Sequence, residues 1–362
     1  MTTGASHKHG GNPRFDLERF GIPPRPVMDF SVNISPLGPP KKVRDAWPQM
    51  MEDMSRYPST DGGAVVRYYG SRFGLPPECV LPGNGSIEMI YLVPRTLRLN
   101  HAALISPSFH DYERSLELTG VSITRITLSP DDGFAPPTLE RLRRALLQAD
   151  AIFLGNPNNP TATSFRAADL LDLADEFPDK LILVDEAFVQ FLDDFEETTL
   201  LCEYRIRRNI LVFHSLTKFY AIPGLRIGCV AGHPDTISML RHHRIPWSVN
   251  SVAERVASLL AECGEYESAA RKLNSQERER ISDRLSDIDS VRLFDASANF
   301  FLAEWRATAD LDDLLRELLS DGLYVRDCRN FPGLEDGYFR FCVRLPDEND
   351  RLISAIEGYG RG

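Results

Sequence analysis

The chain has 362 residues, of which 43% are hydrophobic and 26% charged, proportions that are ordinary for a soluble globular protein. Its net charge of −11 argues against nucleic acid or an anionic membrane surface as a partner, so a small anionic ligand would need a local arginine cluster. No apolar run reaches the length of a membrane span, the N-terminus lacks a secretory apolar region, and the six cysteines form no C-x-x-C pair. We therefore expect a cytoplasmic protein with reduced thiols and no metal site.

Short apolar runs alternate with helical patterns up to about residue 245. The predicted strands are 102–105, 151–155, 181–184, 210–213 and 227–231, and helices are predicted at about 139–149 and 166–177. Such alternation is typical of a mostly parallel sheet covered by helices on both faces. Functional sites in these sheets lie beyond the carboxyl ends of the strands.

The segment Ile245-Pro-Trp-Ser-Val-Asn250 marks a change of domain. A long helix is predicted at about 251–271, followed by a small α+β domain with strands at 299–304, 323–327 and 338–345 and helices at 311–319 and 347–357. We predict an N-terminal arm (1–40) that joins the small domain, a large domain (41–245) and a small C-terminal domain (246–362).

The N-terminal arm is rich in glycine and proline and contains His9-Gly10-Gly11-Asn12 and, further on, Asn33 in the string Asp29-Phe-Ser-Val-Asn-Ile-Ser-Pro-Leu-Gly38. Two adjacent glycines permit a close approach of the backbone to a ligand. The spacing by itself, however, favours a flexible arm.

Polar and aromatic residues follow several of the predicted strands. Phe109, Asn159 and Asp185 each come shortly after an apolar run, and a carboxylate there is costly unless it has a partner. Gly83-Asn84-Gly85-Ser86 precedes a helical pattern, whose N-terminal N–H groups and positive dipole suit a phosphate. A Gly-Asn-Gly string without further support is more often a turn.

Ser215-Leu-Thr-Lys218 separates two apolar runs, with Arg226 just before the second run. A lysine desolvated near other cations loses basicity and becomes a nucleophile, whereas an isolated Ser-x-x-Lys is usually a surface loop. Here Ser-x-x-Lys is followed by Gly-x-Arg, with the arginine eight residues after the lysine. The whole string resembles the lysine segment of fold-type I pyridoxal-phosphate (PLP) enzymes.

This resemblance implies an α/β fold-type I structure and PLP as cofactor. It assigns Lys218 as the catalytic lysine that carries the cofactor, Phe109 to the pyridine face, Asn159 to the ring hydroxyl and Asp185 to the ring nitrogen. The full implied cofactor set is Gly83, Asn84, Gly85, Ser86, Phe109, Asn159, Asp185, Ser215, Lys218 and Arg226, with Tyr57 reaching the cofactor phosphate of a neighbouring subunit.

Three further residues near these motifs, Tyr112, Ala162 and Phe188, can also be compared with the family's pattern. Tyr112 is assigned to packing, and Ala162 replaces a glycine that the family has after its Asn-Pro-Thr string. Phe188 stands where aminotransferases commonly have a tyrosine.

A narrower resemblance comes from the arm and from the segment around Arg326. His-Gly-Gly-Asn followed by Asp-Phe-Ser-x-Asn-Ile-x-Pro-Leu-Gly is similar to the threonine-phosphate decarboxylases of cobalamin side-chain synthesis. The substrate-binding residues that it implies are His9, Gly10, Asn33, Asn159, Arg326 and Arg340. In the last strand Arg340 and Arg344 alternate with apolar residues, so both are expected on the face opposite the core, where solvated arginines are the default.

The resemblance thus implies PLP-dependent decarboxylation of L-threonine O-3-phosphate to (R)-1-amino-2-propanol O-2-phosphate by a homodimer with shared active sites. Two alternatives stay open: decarboxylation of serine phosphate to ethanolamine phosphate, and transamination of histidinol phosphate. One methyl group discriminates by only about 1–3 kcal/mol, so the sequence does not separate the two phosphorylated amino acids. A ligand-sensing PLP domain is disfavoured because it would usually bring a DNA-binding segment, and none is recognised in this sequence.

Overall fold

The computed structural model describes residues 9–202, 205–335 and 337–360. None of the helices in these ranges is both long and apolar enough to cross a bilayer. The strands are β1 (Met28–Asp29), β2 (Val80–Asn84), β3 (His101–Ser106), β4 (Ser122–Thr127), β5 (Ala151–Gly155), β6 (Leu181–Asp185), β7 (Ile210–Ser215), β8 (Ile227–Gly232), β9 (Val291–Leu293), β10 (Phe300–Trp305), β11 (Leu323–Tyr324), β12 (Arg326–Asp327) and β13 (Tyr338–Cys342). The α-helices are α1 (Pro13–Arg19), α2 (Lys41–Ala46), α3 (Gly63–Phe73), α4 (Ser86–Leu97), α5 (His110–Glu117), α6 (Leu139–Leu146), α7 (Ala167–Glu176), α8 (Phe195–Thr198), α9 (Leu216–Phe219), α10 (Pro234–His243), α11 (Ser251–Leu260), α12 (Gly264–Ser286), α13 (Leu311–Ser320) and α14 (Pro346–Gly360).

Seven strands form the large sheet, in the order β2-β8-β7-β6-β5-β3-β4. The five strands from β7 to β4 run parallel, whereas β8 is antiparallel to both of its neighbours. This confirms the predicted mostly parallel sheet. Gly155, Asp185 and Phe213 are register partners, so the carboxyl ends of β5, β6 and β7 lie side by side.

Both faces of the large sheet are covered, because its strands are almost continuously apolar. On one face Leu183, Leu211 and Phe213 pack with α4, α5 and α10, while Ile182, Val184 and Val212 belong to the second, larger core. Two-sided burial is the arrangement expected of a parallel sheet. In the strands other than the edge strand β4, polar residues therefore lie near the strand ends, and the candidate site lies at one of those ends.

The C-terminal part contains a four-stranded antiparallel sheet in the order β12-β13-β10-β9, packed against α13 and α14. The leucines of α13 repeat at helical spacing and are buried, and Asp310 caps the helix by accepting a hydrogen bond from the Asp312 N–H. Strand β1 of the N-terminal arm pairs in parallel with β11, so both ends of the chain meet here. The domain boundaries at residues 40 and 245 stay predictions.

Two predicted elements are each divided into two in the structure. The helix expected at 251–271 is divided into α11 and α12, because Cys263 leaves the helical conformation (φ −101°, ψ 30°) and is followed by Gly264, a poor helix former. The strand expected at 323–327 is divided at Val325, so that β11 pairs with β1 while β12 joins the four-stranded sheet. This division places Arg326 beside β13.

Candidate active site

A cavity of about 320 Å³ lies between the carboxyl ends of the parallel strands, the four-stranded sheet and the N-terminal arm. Its lining includes most of the residues selected from the sequence, although they come from distant parts of the chain. These residues are His9, Gly10, Asn33, Ser86, Phe109, Asn159, Asp185, Ser215, Lys218, Arg226, Arg326 and Arg340. The predicted residues Gly83, Asn84, Gly85 and Tyr57 do not line it.

Lys218 lies on the short helix α9, which begins where β7 ends. The Ser215 side chain caps this helix by accepting a hydrogen bond from the Thr217 N–H. Burial and the nearby charges of Arg226 and Arg340 lower the pKa of Lys218 to about 8, against the opposing effect of Asp185. The amine is therefore a better nucleophile at neutral pH than an ordinary lysine.

Asp185 ends strand β6 and points into the cavity. Its two oxygens accept hydrogen bonds from the Tyr112 hydroxyl (2.8 Å) and the Ala187 N–H (3.0 Å). Burial nevertheless raises the pKa of Asp185 to about 6. A cationic group at this position would restore the charged carboxylate, since an adjacent positive charge favours ionisation.

The assignment of Tyr112 to packing is incomplete. Its ring does stack on Phe153, with centroids 4.3 Å apart, but its hydroxyl bonds Asp185 and it lines the cavity. Sequence reasoning missed this second role because the hydrogen bond joins residues that are 73 positions apart.

A compact anion-binding corner forms where β2 and β8 meet α4. A methyl group on Gly228 would stand 2.6 Å from the Ser86 N–H nitrogen at the start of α4, and one on Gly85 would stand 2.6 Å from an Arg226 guanidinium nitrogen. Only glycine permits this close approach. Ser215 and Thr217 share a hydrogen bond of 2.7 Å beside it. A helix N-terminus, two hydroxyls and a guanidinium are groups that can hold a phosphate, and we call this corner the candidate phosphate seat.

Gly83 and Asn84 lie next to this corner in β2 but do not line the cavity. They belong to β2, paired with Gly228 and Ile227 of β8, and the Asn84 N–H donates to the Glu88 carboxylate (2.6 Å). The Asn84 side chain is exposed and lies in a neighbouring surface cleft.

Two buried arginines face each other at the other end of the cavity. Arg326 of β12 and Arg340 of β13 are register partners, and each is only 6% exposed. Like charges directly opposite each other destabilise a sheet. Burial lowers the pKa of Arg340 to about 10. A ligand with two anionic groups would relieve this repulsion.

The arginines are oriented by neutral acceptors. Arg340 donates to the Asn159 side-chain oxygen and to the Ser31 carbonyl (2.7 Å), and Arg326 donates to the Asn330 side chain (2.9 Å). Because Arg340 engages the Asn159 oxygen, the amide NH₂ of Asn159 is the group that can donate to a ligand.

Arg344 does not share this environment, contrary to the expectation that it lies on the same face of the strand as Arg340. Strand β13 ends at Cys342, and Arg344 forms an ion pair with Glu348 (2.9 Å) outside the cavity lining. Arg340 in turn is buried rather than solvated, because the large domain and the arm cover its face of the sheet.

The N-terminal arm is held in place at the cavity. The Gly11 N–H donates to the Ser31 hydroxyl (2.7 Å), which donates to Asp29 (2.6 Å), and a methyl group on Gly10 would collide with the Ser31 carbonyl oxygen. Asn33 is 4% exposed, and its side-chain oxygen has no hydrogen-bond partner within the ranges that the structure describes. A buried unpaired acceptor at a cavity is typical of a ligand contact.

Other lining residues were not selected from the sequence. Thr217 follows Ser215 by two positions and had a weak signal as a second hydroxyl in the lysine motif. His110, Asp111 and Phe331 had none, because a polar first helical turn and a loop phenylalanine are ordinary. Their position depends on how α5 meets the loop after β12.

Ala162 adopts a left-handed conformation with φ of 59°. This conformation is the one that the glycine expected there would adopt freely. The turn is therefore kept despite the substitution.

Tyr57 lies outside the cavity of its own chain. It is 87% exposed and its ring is 5.6 Å from that of Trp247. Trp247 lines a surface cleft that shares Ile87 with the cavity.

The sequence matches the family described as aminotransferase class I and II over residues 25–356. It is 33% identical to the threonine-phosphate decarboxylase of Salmonella typhimurium over 356 residues, which cover 96% of this chain and 95% of that protein. It is 32% identical to a histidinol-phosphate aminotransferase of Desulfitobacterium hafniense over 310 residues, 83% of each protein. The solved structure of the histidinol-phosphate aminotransferase from Clostridium acetobutylicum is similar, with TM-score 0.85, 26% identity and coverage of 92% of this chain and 99% of that one.

The close approach at Gly228 gives a testable prediction. Gly228→Ala should lower the free energy of unfolding by about 1–3 kcal/mol, because the new methyl group overpacks against backbone atoms that cannot move independently. Urea denaturation of the purified protein measures this. Gly224→Ala is the matched control, since a methyl group there meets nothing within 4 Å. Equal stability of Gly228→Ala and the wild type would contradict the steric argument.

Proposed function

Because this chain belongs to the aminotransferase class I and II family, we propose that it is a PLP-dependent decarboxylase that converts L-threonine O-3-phosphate to (R)-1-amino-2-propanol O-2-phosphate. The name of its Salmonella typhimurium relative supports this reaction. The observation that carries the proposal is the facing pair of buried arginines, since a ligand with two anionic groups would pair with both of them. A phosphorylated amino acid has a phosphate and a carboxylate. The product would supply the side chain of the cobalamin nucleotide loop.

Pyridoxal 5′-phosphate is the cofactor, and the lining residues fit it. Burial raises the pKa of Asp185 to about 6, so this carboxylate suits a protonated pyridine nitrogen, which would favour its charged form. Asn159 offers an NH₂ donor for the ring hydroxyl, and Phe109 an aromatic face for the ring. The phosphate seat would be formed by Ser86 at the start of α4, Ser215, Thr217 and Arg226. When bound, PLP supplies an electron sink for the electron pair left at Cα.

The chain's own residues then decide which bond at Cα breaks. We assign the substrate's phosphate and carboxylate to His9, Asn33, Asn159, Arg326 and Arg340, which come from the arm, the loop after β5 and the four-stranded sheet. By holding both anions, these groups rotate the substrate so that its carboxylate, rather than its Cα hydrogen, is placed to leave. Lys218 Nζ, with its pKa near 8, is the group that can hold and move a proton at Cα.

The reaction is tested by incubating the purified holoenzyme with L-threonine O-3-phosphate and measuring carbon dioxide. Arg326→Ala should lower kcat/KM by about 30-fold or more, because truncating one partner of a buried charge pair costs about 2–5 kcal/mol. Arg344→Gln is the matched control, since Arg344 is an arginine of the same strand region that lies outside the cavity. Unphosphorylated threonine should react very poorly.

The alternatives are separated in the same assay. Faster release of carbon dioxide from serine phosphate would change the assigned substrate. Efficient formation of glutamate from histidinol phosphate and 2-oxoglutarate, with no carbon dioxide from either phosphorylated amino acid, would refute the decarboxylase proposal.

We propose that Lys218 carries the cofactor covalently. Apoprotein should take up PLP at a rate that rises with pH and levels off above about pH 8, because only the neutral amine is nucleophilic and the Lys218 pKa is lowered to about 8. Borohydride trapping followed by mass spectrometry measures the uptake. Lys218→Ala should trap no cofactor, whereas Lys41→Ala, an exposed lysine, should behave like the wild type. Trapping in Lys218→Ala would assign another lysine.

We also propose a homodimer in which Tyr57 of each copy enters the active site of the other. Large apolar side chains are exposed around Tyr57 and the cleft beside the cavity, and such patches are typical of interaction surfaces. These residues are Trp47, Met51, Met54, Tyr57, Ile245 and Trp247. The cleft adjoins the cavity through Ile87, so a partner seated on it would be near the phosphate seat.

Complementation tests the shared site. Mixing Tyr57→Ala with Lys218→Ala should restore part of the activity, because one site of each hybrid dimer then has both residues intact. Each variant mixed only with itself is the control. A fully active monomer in sedimentation would contradict the shared site.

We propose a cytoplasmic location. Cys229, Cys263, Cys328 and Cys342 are buried free thiols, as is usual for proteins of a reducing compartment.

A further inference from the structure

Asp111 is a carboxylate in a cavity whose other features favour anions. It lies in the first turn of α5, is 8% exposed and lines the cavity together with Arg326 and Arg340. A negative charge there repels an anionic ligand unless a cation stands between them. Asp185, at the end of β6, is assigned to the cofactor's ring nitrogen. Asp111 lies in α5 and has no role in that assignment.

The contacts of Asp111 include one side chain that becomes a cation when it is protonated. One carboxylate oxygen accepts a hydrogen bond from the Tyr91 hydroxyl, and the other lies 3.5 Å from His9 Nε2. The His9 ring is tilted over Phe109, with centroids 5.8 Å apart. His9 thus stands between Asp111 and the cavity. Its backbone position is set by the glycines that follow it, since Gly10 and Gly11 pack against Ser31.

The other acidic groups near His9 are already compensated. At the cavity mouth, Asp16 pairs with Arg19, and Asp327 pairs with Arg329 and Arg19. Asp111 differs because Tyr91 is a neutral partner. The titratable and charged groups that line the cavity and its mouth around His9 are Asp16, Arg19, His110, Asp111, Tyr112, Asp185, Lys218, Arg226, Tyr324, Arg326, Asp327, Arg329 and Arg340.

We propose that Asp111 is a positioning residue that keeps His9 protonated and directs its imidazolium towards the phosphate of the substrate. A carboxylate on one ring nitrogen stabilises the imidazolium, whose other N–H then donates to an anion. Without Asp111, the arginines of the cavity would favour the neutral ring, which carries no charge for the phosphate. The assignment of the ligand as a phosphorylated amino acid rests on the proposed function, whereas the pairing of Asp111 with His9 does not.

Titration of His9 by NMR in the holoenzyme tests the pairing directly. The signal is assigned by its absence in His9→Gln. The His9 pKa should lie above the ordinary value of about 6.5 in the wild type and fall by about 0.5 to 1 in Asp111→Asn, as expected for a half-exposed ion pair. Asp111→Glu, which keeps the charge, should retain most of the elevation.

Glu113→Gln is the matched control. Glu113 also lies in the first turn of α5, but it pairs with Arg125, so its loss should leave the His9 pKa unchanged. A wild-type His9 pKa at or below 6.5 would overturn the proposal even if Asp111→Asn did not fold. An unchanged His9 pKa in folded Asp111→Asn would overturn it as well.

Binding of inorganic phosphate to the holoenzyme gives the functional readout. A group with a raised pKa is charged below that pKa, so phosphate binding should weaken as pH rises through the His9 pKa. In Asp111→Asn this weakening should begin at lower pH, a shift that a merely structural role would not produce. If these shifts occur but threonine phosphate is not decarboxylated, the proposed function fails and the pairing of Asp111 with His9 stands.

Discussion

Two buried arginines that face each other across an antiparallel ladder are the constraint on which the site depends. Arg326 and Arg340 gain nothing from their own proximity. Arg340 donates to the Asn159 side-chain oxygen and to the Ser31 carbonyl, and Arg326 donates to the Asn330 side chain, so these neutral acceptors help to orient both guanidinium groups. A ligand with anionic groups would relieve the repulsion between the two arginines, because like charges directly opposite each other destabilise a sheet.

The positive charge of the cavity also acts on Lys218. Burial lowers the Lys218 pKa, and the charges of Arg226 and Arg340 lower it further, while Asp185 opposes them from the end of β6. The cavity therefore joins two groups of residues suited to anions, the proposed phosphate seat on the large sheet and the arginine pair on the small one. Lys218 is close to a charge from each group, Arg226 of the first and Arg340 of the second. Its nucleophilicity therefore depends on elements that are far apart in the chain.

How much of the site could be predicted depends on whether a residue's role is local. Lys218, Asp185 and Asn159 lie at or just after the ends of strands that can be predicted from apolar runs in the sequence. The structure brings all three residues to one cavity. Tyr112 and Asp111 were missed, because their hydrogen bonds reach across 73 and 20 positions to Asp185 and Tyr91. The prediction that Arg344 shares a face with Arg340 was wrong, because the alternation of apolar and charged residues in the sequence continues beyond Cys342, where the strand ends.

The sequence by itself determined the fold class, because continuous apolar runs alternating with amphipathic helices are compatible with little except a covered parallel sheet. Its motifs also determined the cofactor and the lysine that we expect to carry it. Only the tertiary structure decided which charges meet. It divided one predicted strand at Val325, so that Arg326 came to face Arg340, and it brought His9 of the arm against Asp111 of α5. Charge pairing between distant segments is set by packing geometry, and no periodicity along the chain encodes it.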